Sequence, residues 1–163
     1  ITIGEDAFYD SPLTSLKVSQ SLTNIGSQAF YNAKLLSLEL PDTVNSIGEA
    51  AFYSSPLTSL KLSRTLTTIS DEVFCCSKLV SLQLPPLLTT IGDAAFCCST
   101  LTSLDRPPLL TSIGDETFHG SMLTTLQLPP RLTAIGREAF YLSRLTSIEL
   151  LAQMSSALKT LHS

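Results

Sequence analysis

An α/β solenoid is the fold this sequence predicts: a right-handed stack of about seven coils of 22 residues, with short parallel strands and single helical turns. Three observations point there. The phrase Ile-Gly-x-x-Ala-Phe recurs every 22 residues, with isoleucines at Ile3, Ile25, Ile47, Ile69, Ile91, Ile113 and Ile135 and phenylalanines at Phe8, Phe30, Phe52, Phe74, Phe96, Phe118 and Phe140. A second phrase, Leu-Thr-Ser-Leu-x-Leu, runs at the same period. Prolines close it at Pro41, Pro85, Pro107 and Pro129. A fixed period of this length marks stacked repeats, each burying an apolar face that it cannot bury alone.

Each coil begins at a leucine: Leu13, Leu35, Leu57, Leu79, Leu101, Leu123 and Leu145. The next anchors are Leu16, Leu38, Leu60, Leu82, Leu104, Leu126 and Ile148, then Val18, Leu40, Leu62, Leu84, Arg106, Leu128 and Leu150. Apolar residues separated by one polar residue have the period of a strand with one buried face. Proline cannot donate to a ladder, so it stands beyond the paired stretch. Leu22, Val44, Leu66, Leu88, Leu110 and Leu132 anchor the second half, which leads through Thr and Ser to the isoleucine as a shorter extended segment. Glycine follows the isoleucine in every copy but one, where Ser70 stands. A glycine there implies either positive φ or close packing. Asp/Glu-x-Ala-Phe then reads as a single helical turn, its acidic residues suited to the N-terminal end of a helix dipole.

Composition excludes several functions. A net charge of −4 offers no attraction to nucleic acid or to an anionic membrane. The longest apolar run is far too short to span a bilayer. Ile1 already lies inside a repeat phrase, so this segment carries no signal peptide and reads as part of a longer protein or as a mature product. The four cysteines, as the pairs Cys75-Cys76 and Cys97-Cys98, are too few for a disulfide framework.

The phrases Leu35-Leu36-Ser37-Leu38-Glu39-Leu40-Pro41 and Ile47-Gly48-Glu49-Ala50-Ala51-Phe52 resemble the BspA-like leucine-rich repeats, the surface-antigen type. The resemblance covers residues 1 to about 150, with a unit one residue shorter than is usual in that family. The residue lost lies between the phenylalanine and the next strand, where the turn should be tighter. The resemblance implies a leucine-rich-repeat solenoid over residues 1–150. It also implies a cell-surface or secreted location and a non-enzymatic role in adhesion or protein binding, without a cofactor. Fold alone does not carry function.

On the strand face, the outward position between two anchors forms the column Lys17, Glu39, Lys61, Gln83, Asp105, Gln127 and Glu149. Beside it runs a column of small hydroxyls: Ser15, Ser37, Ser59, Ser81, Ser103, Thr125 and Ser147. Strands about 4.8 Å apart would make a flat polar strip some 30 Å long. Two readings stand: a surface that contacts a protein partner, or the solvated side of a sheet without interfacial aromatic anchors. Nine of the 14 acidic residues fall in the two positions after the glycine column: Glu5, Asp6, Glu49, Asp71, Glu72, Asp93, Asp115, Glu116 and Glu138. Helix-start electrostatics accounts for them, and a bound cation such as calcium is the alternative, although no dedicated calcium loop is present.

The residue after each phenylalanine forms the column Tyr9, Tyr31, Tyr53, Cys75, Cys97, His119 and Tyr141. Free thiols acting as small apolar residues are the favoured reading. Zinc bound by thiols and His119, a Cys97–His119 nucleophilic dyad, and a bridge between neighbouring coils are the alternatives. His162, the other histidine, lies in the tail. Arg106 replaces an anchor, and a guanidinium is too costly to bury unpaired, so it snorkels out or distorts the strand end. Leu151, Met154, Leu158 and Leu161 recur at helical spacing, so residues 151–163 read as a C-terminal capping helix or a degenerate repeat. The first coil has no such cap, which favours upstream repeats or end-to-end association. The leading expectation is thus a module that binds a protein through its strand face; a structural spacer in a longer surface protein is the second, and a metal or thiol enzyme the third.

Overall fold

The structure, a computed structural model, describes residues 1–149. Eleven short strands follow in chain order: β1 (Thr2–Ile3), β2 (Asn24–Ile25), β3 (Ser37–Glu39), β4 (Ser46–Ile47), β5 (Ser59–Lys61), β6 (Thr68–Ile69), β7 (Thr90–Ile91), β8 (Ser112–Ile113), β9 (Thr125–Gln127), β10 (Ala134–Ile135) and β11 (Ser147–Glu149). Every pairing is parallel and joins residues 22 apart, as in Ile3↔Ile25 and Leu38↔Leu60. The fold is therefore a parallel-strand solenoid. Full turns begin at Leu13, Leu35, Leu57, Leu79, Leu101 and Leu123, and a seventh begins at Leu145.

The interior is built from columns, one residue per coil. Phe30, Phe52, Phe74, Phe96 and Phe118 are completely buried, and their rings stack face to face at 5.3 to 5.9 Å. Leu35, Leu57, Leu79, Leu101 and Leu123 form a second fully buried column. Each ring or leucine covers the one beneath it, so no coil completes its core without a neighbour.

The phenylalanine segment corrects one expectation: no helix forms among the described residues. In place of a helical turn, two residues in each coil, four apart, adopt positive φ. One such column is Asp6, Gln28, Ala50, Glu72, Ala94, Glu116 and Glu138; the other is Asp10, Asn32, Ser54, Cys76, Cys98, Gly120 and Leu142. A helix would turn its N–H groups onto its own carbonyls. Here alternate N–H groups point along the stacking axis, so that Asp6, Phe8 and Asp10 donate to the carbonyls of Ser27, Ala29 and Tyr31 in the next coil, while Ala7 and Tyr9 between them donate back to Gly4 and Asp6. This pattern repeats upward, for example from Glu72, Phe74 and Cys76 to Asp93, Ala95 and Cys97.

The glycine column owes its composition to close packing. A Cβ on Gly26 would stand 2.5 Å from the Glu5 nitrogen, and one on Gly48 2.4 Å from the Ser27 nitrogen. Neither glycine has positive φ. Ser70 shows what a Cβ does there. Gly26 and Gly48 donate to the carbonyls of Ile3 and Ile25, but Ser70 contacts the Ile47 carbonyl through its hydroxyl, at 2.7 Å. The isoleucine ladder breaks at this point into β1-β2-β4 and β6-β7-β8-β10, and the Phe52–Phe74 spacing is the widest of the stack at 5.9 Å. The coil bearing Ser70 pairs in opposite directions on its two sides. Its β5 pairs backward with β3, whereas its β6 pairs forward with β7.

The expected terminal helix, the alternative degenerate coil, Leu150 and His162 lie outside the described residues. No helix among the described residues is long and apolar enough to cross a membrane.

Candidate functional site

The strand face presents the predicted column outward. Lys17, Glu39, Lys61, Gln83, Asp105 and Gln127 are all exposed, and the serine column beside them is exposed throughout. Glu149 ends β11. The expected continuous strip is interrupted, however. Strand pairing joins β3 to β5 and β9 to β11, and Ser15 meets Ser37 in a single bridge, but 81–83 and 103–105 form no strand. Two local causes account for this. On the coil that carries Ser70, β5 pairs only with β3 below it. Arg106 sits exposed where Leu40, Leu84 and Leu128 are buried, so its strand end lacks an inward anchor.

Grooves open where the layers separate. One of about 650 Å³ runs between Leu60, Lys61, Leu62 and Arg64 on one coil and Gln83, Leu84, Pro85 and Pro86 on the next. Another, of about 450 Å³, is bounded by Asp105 and Arg106 and by Thr125, Leu126 and Gln127. A third, of about 410 Å³, includes Gln20, Glu39, Asp42 and Lys61. Lys61 pairs with Glu39 one coil below, and this contact raises the lysine pKa. The Arg64 main-chain N–H donates to Asp42 Oδ1 at 2.9 Å, leaving the exposed guanidinium beside the largest groove.

The rim residues Gln20, Asp42, Arg64 and Pro86 form a column of their own that the sequence reading passed over. Its signal was present as a variable position next to the strand-closing proline. It went unread because a position just past a strand looks like loop until the coils are stacked.

At three of its nine positions the acidic ridge has a role other than the one expected. With no helix there is no helix dipole to complement. Instead the main-chain N–H groups of Asp93, Asp115 and Arg137 donate to Oδ1 of Asp71, Asp93 and Asp115 at 2.7 to 2.8 Å. Each aspartate thus satisfies a main-chain donor of the following coil. No group of three or more His, Cys, Asp or Glu side chains among the described residues is arranged to hold a metal ion.

On the ridge after the phenylalanines, Tyr9, Tyr31 and Tyr53 stack at 4.8 and 4.6 Å with nearly parallel rings. The column then changes to Cys75, Cys97 and His119. All four cysteines are free; Cys75 is buried, Cys76 and Cys97 half-buried and Cys98 exposed, so only the first behaves as a core residue. Burial pushes the Cys97 thiol up to about 11 and raises Cys75 further. His119 packs edge-on against Tyr141, its Nδ1 lies 3.8 Å from a Glu116 carboxylate oxygen, and that nitrogen makes no hydrogen bond. No hydrogen bond links Cys97 to His119 among the described residues.

The comparisons agree with this architecture. The model of the BspA type leucine-rich repeat region matches in six copies, over residues 1–121 and 89–161. A leucine-rich repeat protein from Bacteroides ovatus superimposes with a TM-score of 0.88 at 28% identity, over 94% of this chain and 41% of that one. A leucine rich cell surface protein from Faecalibacterium prausnitzii gives 0.75 at 29% identity, over 90% and 42%. The pneumococcal vaccine antigen PcpA gives 0.72 at 24% identity, over 86% and 39%, a likeness of fold alone. The chain spans about two fifths of the length of these solved proteins. No curated protein matches it. A 22-residue parallel register, a stacked phenylalanine column and a family match reaching both ends of the described array lead to one conclusion: the chain belongs to the BspA-type leucine-rich repeat family.

Proposed function

We propose that this chain is a non-enzymatic interaction module that binds a protein partner through its strand face, as part of a cell-surface or secreted protein. The observation that carries the reading is the coincidence of the grooves with the variable column. Lys61, Gln83, Asp105 and Gln127 each line one of them. In the largest groove, Lys61 and Arg64 flank a floor of Leu62, Leu84 and Pro85, a combination suited to an acidic segment with apolar neighbours. The candidate binding face is therefore Lys17, Glu39, Lys61, Gln83, Asp105, Gln127 and Glu149, with Arg64 added. The location is supported by the printed description of one similar protein, a leucine rich cell surface protein. The generally non-enzymatic character of the family supports the non-enzymatic reading.

The test is binding of the purified chain to a panel of immobilised extracellular-matrix and host-surface proteins, followed by Lys17→Glu, Lys61→Glu, Arg64→Glu and Asp105→Lys. The reading expects a saturable partner whose capture falls at least about tenfold in the reversals. Capture that all four variants retain would move the site off this face, and no partner at all would favour a structural spacer. The outer side of the first coil, where Ile1 is exposed and Ile3 and Phe8 are half-buried, is the surface for end-to-end association. Sedimentation at rising concentration tests it: a chain that stays monomeric refutes it.

A further inference from the structure

The two cysteine pairs are not required by the fold. The equivalent two positions hold Tyr9-Asp10, Tyr31-Asn32, Tyr53-Ser54, His119-Gly120 and Tyr141-Leu142 in the other coils, all with the same turn. The second position has positive φ throughout, at 57° in Cys76 and 53° in Cys98. That region favours glycine, asparagine and aspartate, and cysteine has no local reason to occupy it twice.

Each pair forms the middle of a turn, closed by Ser77 N–H on the Phe74 carbonyl and by Ser99 N–H on the Phe96 carbonyl, with positive φ at the second cysteine. Cys75 Sγ and Cys76 Sγ lie 3.8 Å apart, and Cys97 Sγ and Cys98 Sγ 3.6 Å apart. Because the turns stack in register, one pair stands above the other, with Cys76 N–H donating to the Cys97 carbonyl at 2.8 Å. The Cys98 sulfur is exposed, so the upper pair is open to solvent.

We propose that each vicinal pair, Cys75-Cys76 and Cys97-Cys98, is a two-coordinate thiolate site for a soft monovalent cation of the Cu(I) class. Soft sulfur ligands select such ions. Zinc would need a further two or more ligands about one point, and the described residues supply no group of three. On binding, each thiol loses its proton and a sulfur–metal bond takes its place, so two protons leave per ion and no oxidant or reductant is needed.

The test is an anaerobic titration of the full chain with Cu(I) against a chromophoric Cu(I) chelator, following thiolate-to-metal absorbance. Two variants borrow a neighbouring coil's own residues, Cys75→Tyr with Cys76→Ser and Cys97→Tyr with Cys98→Ser, so the turn keeps side chains it already accommodates. The proposal expects about two equivalents per chain, about one in either variant and none when the two are combined. Circular dichroism should be unchanged in all of them. A second pair of variants, Cys→Ser at 76 and at 98, should give the same halving. Copper that the chelator strips completely, uptake unchanged in the combined variant, loss of all uptake from replacing a single pair, or zinc held as tightly as Cu(I) would each overturn it.

Discussion

Ser70→Gly should close the solenoid where it is now split. At this coil the main-chain bonds that Asn45 and Gly48 make to Thr23 and Ile25 have no counterpart from Thr67 and Ser70 to Asn45 and Ile47. Removing the Cβ allows both to form. Two main-chain hydrogen bonds contribute about 1 to 3 kcal/mol net, from which the lost Ser70 hydroxyl bond removes about 1 kcal/mol. The greater freedom of glycine in the unfolded chain removes about 0.5 to 1 kcal/mol more. Letting β5 approach the coil above restores pairing over 81–83 and offsets part of that loss. The terms nearly balance, so the net expectation is a small gain of below about 1 kcal/mol, or a rise in Tm of below about 3 °C. Urea and thermal melts measure the stability, and hydrogen exchange reads the amides of residues 67 and 70 directly. The reciprocal change, Gly114→Ser, places a Cβ 2.7 Å from the Asp93 nitrogen and should cost about 1 to 3 kcal/mol. A less stable Ser70→Gly chain, or unprotected amides at 67 and 70, would show that the serine is not the wedge.

Four further outcomes follow from single columns. Arg106→Leu restores a buried anchor and should stabilise the chain by about 1 to 2 kcal/mol; a fall in Tm would mean that Arg106 makes favourable contacts of its own. Leu142 is 68% exposed and held at a φ of 55°, so Leu142→Asn should stabilise by about 0.5 to 1 kcal/mol in urea melts. Ser77 is buried with an unpartnered hydroxyl in a column where Ala33 is fully buried, so Ser77→Ala should gain about 1 kcal/mol. The Cys97 thiol ionises near 8.5 in an unfolded chain and at about 11 when folded. Between those values the unfolded state binds fewer protons, so stability falls as pH rises. The urea midpoint should therefore drop from pH about 8 to about 10.5, and the drop should shrink in Cys97→Ser.

Much of the fold was legible because one chain position recurs in one environment. The columns of Phe30 and Leu35, and the outward column from Lys17 to Gln127, required only counting. The turn was misread for a physical reason. Ala-Phe after an acidic residue carries good local helix signals, but the decisive partners are carbonyls 21 residues away in the next coil. The acidic residues were misassigned with it, since a carboxylate beside a helix start and one that caps a neighbour's N–H look alike in sequence. Arg106 was anticipated correctly, because an unpaired guanidinium cannot enter an apolar column wherever the coil lies.

Periodicity by itself determined the stacking, the register, the buried columns and the outward face, since each depends only on residues meeting their own equivalents one coil away. Tertiary structure alone decided where the stack opens. That outcome depends on clearances of a few tenths of an ångström between a Cβ and a main-chain nitrogen, which decide whether a main-chain bond to the coil below can form. Sequence marks Ser70 as an exception. Only packing turns the exception into a broken ladder and a groove between Lys61 and Gln83.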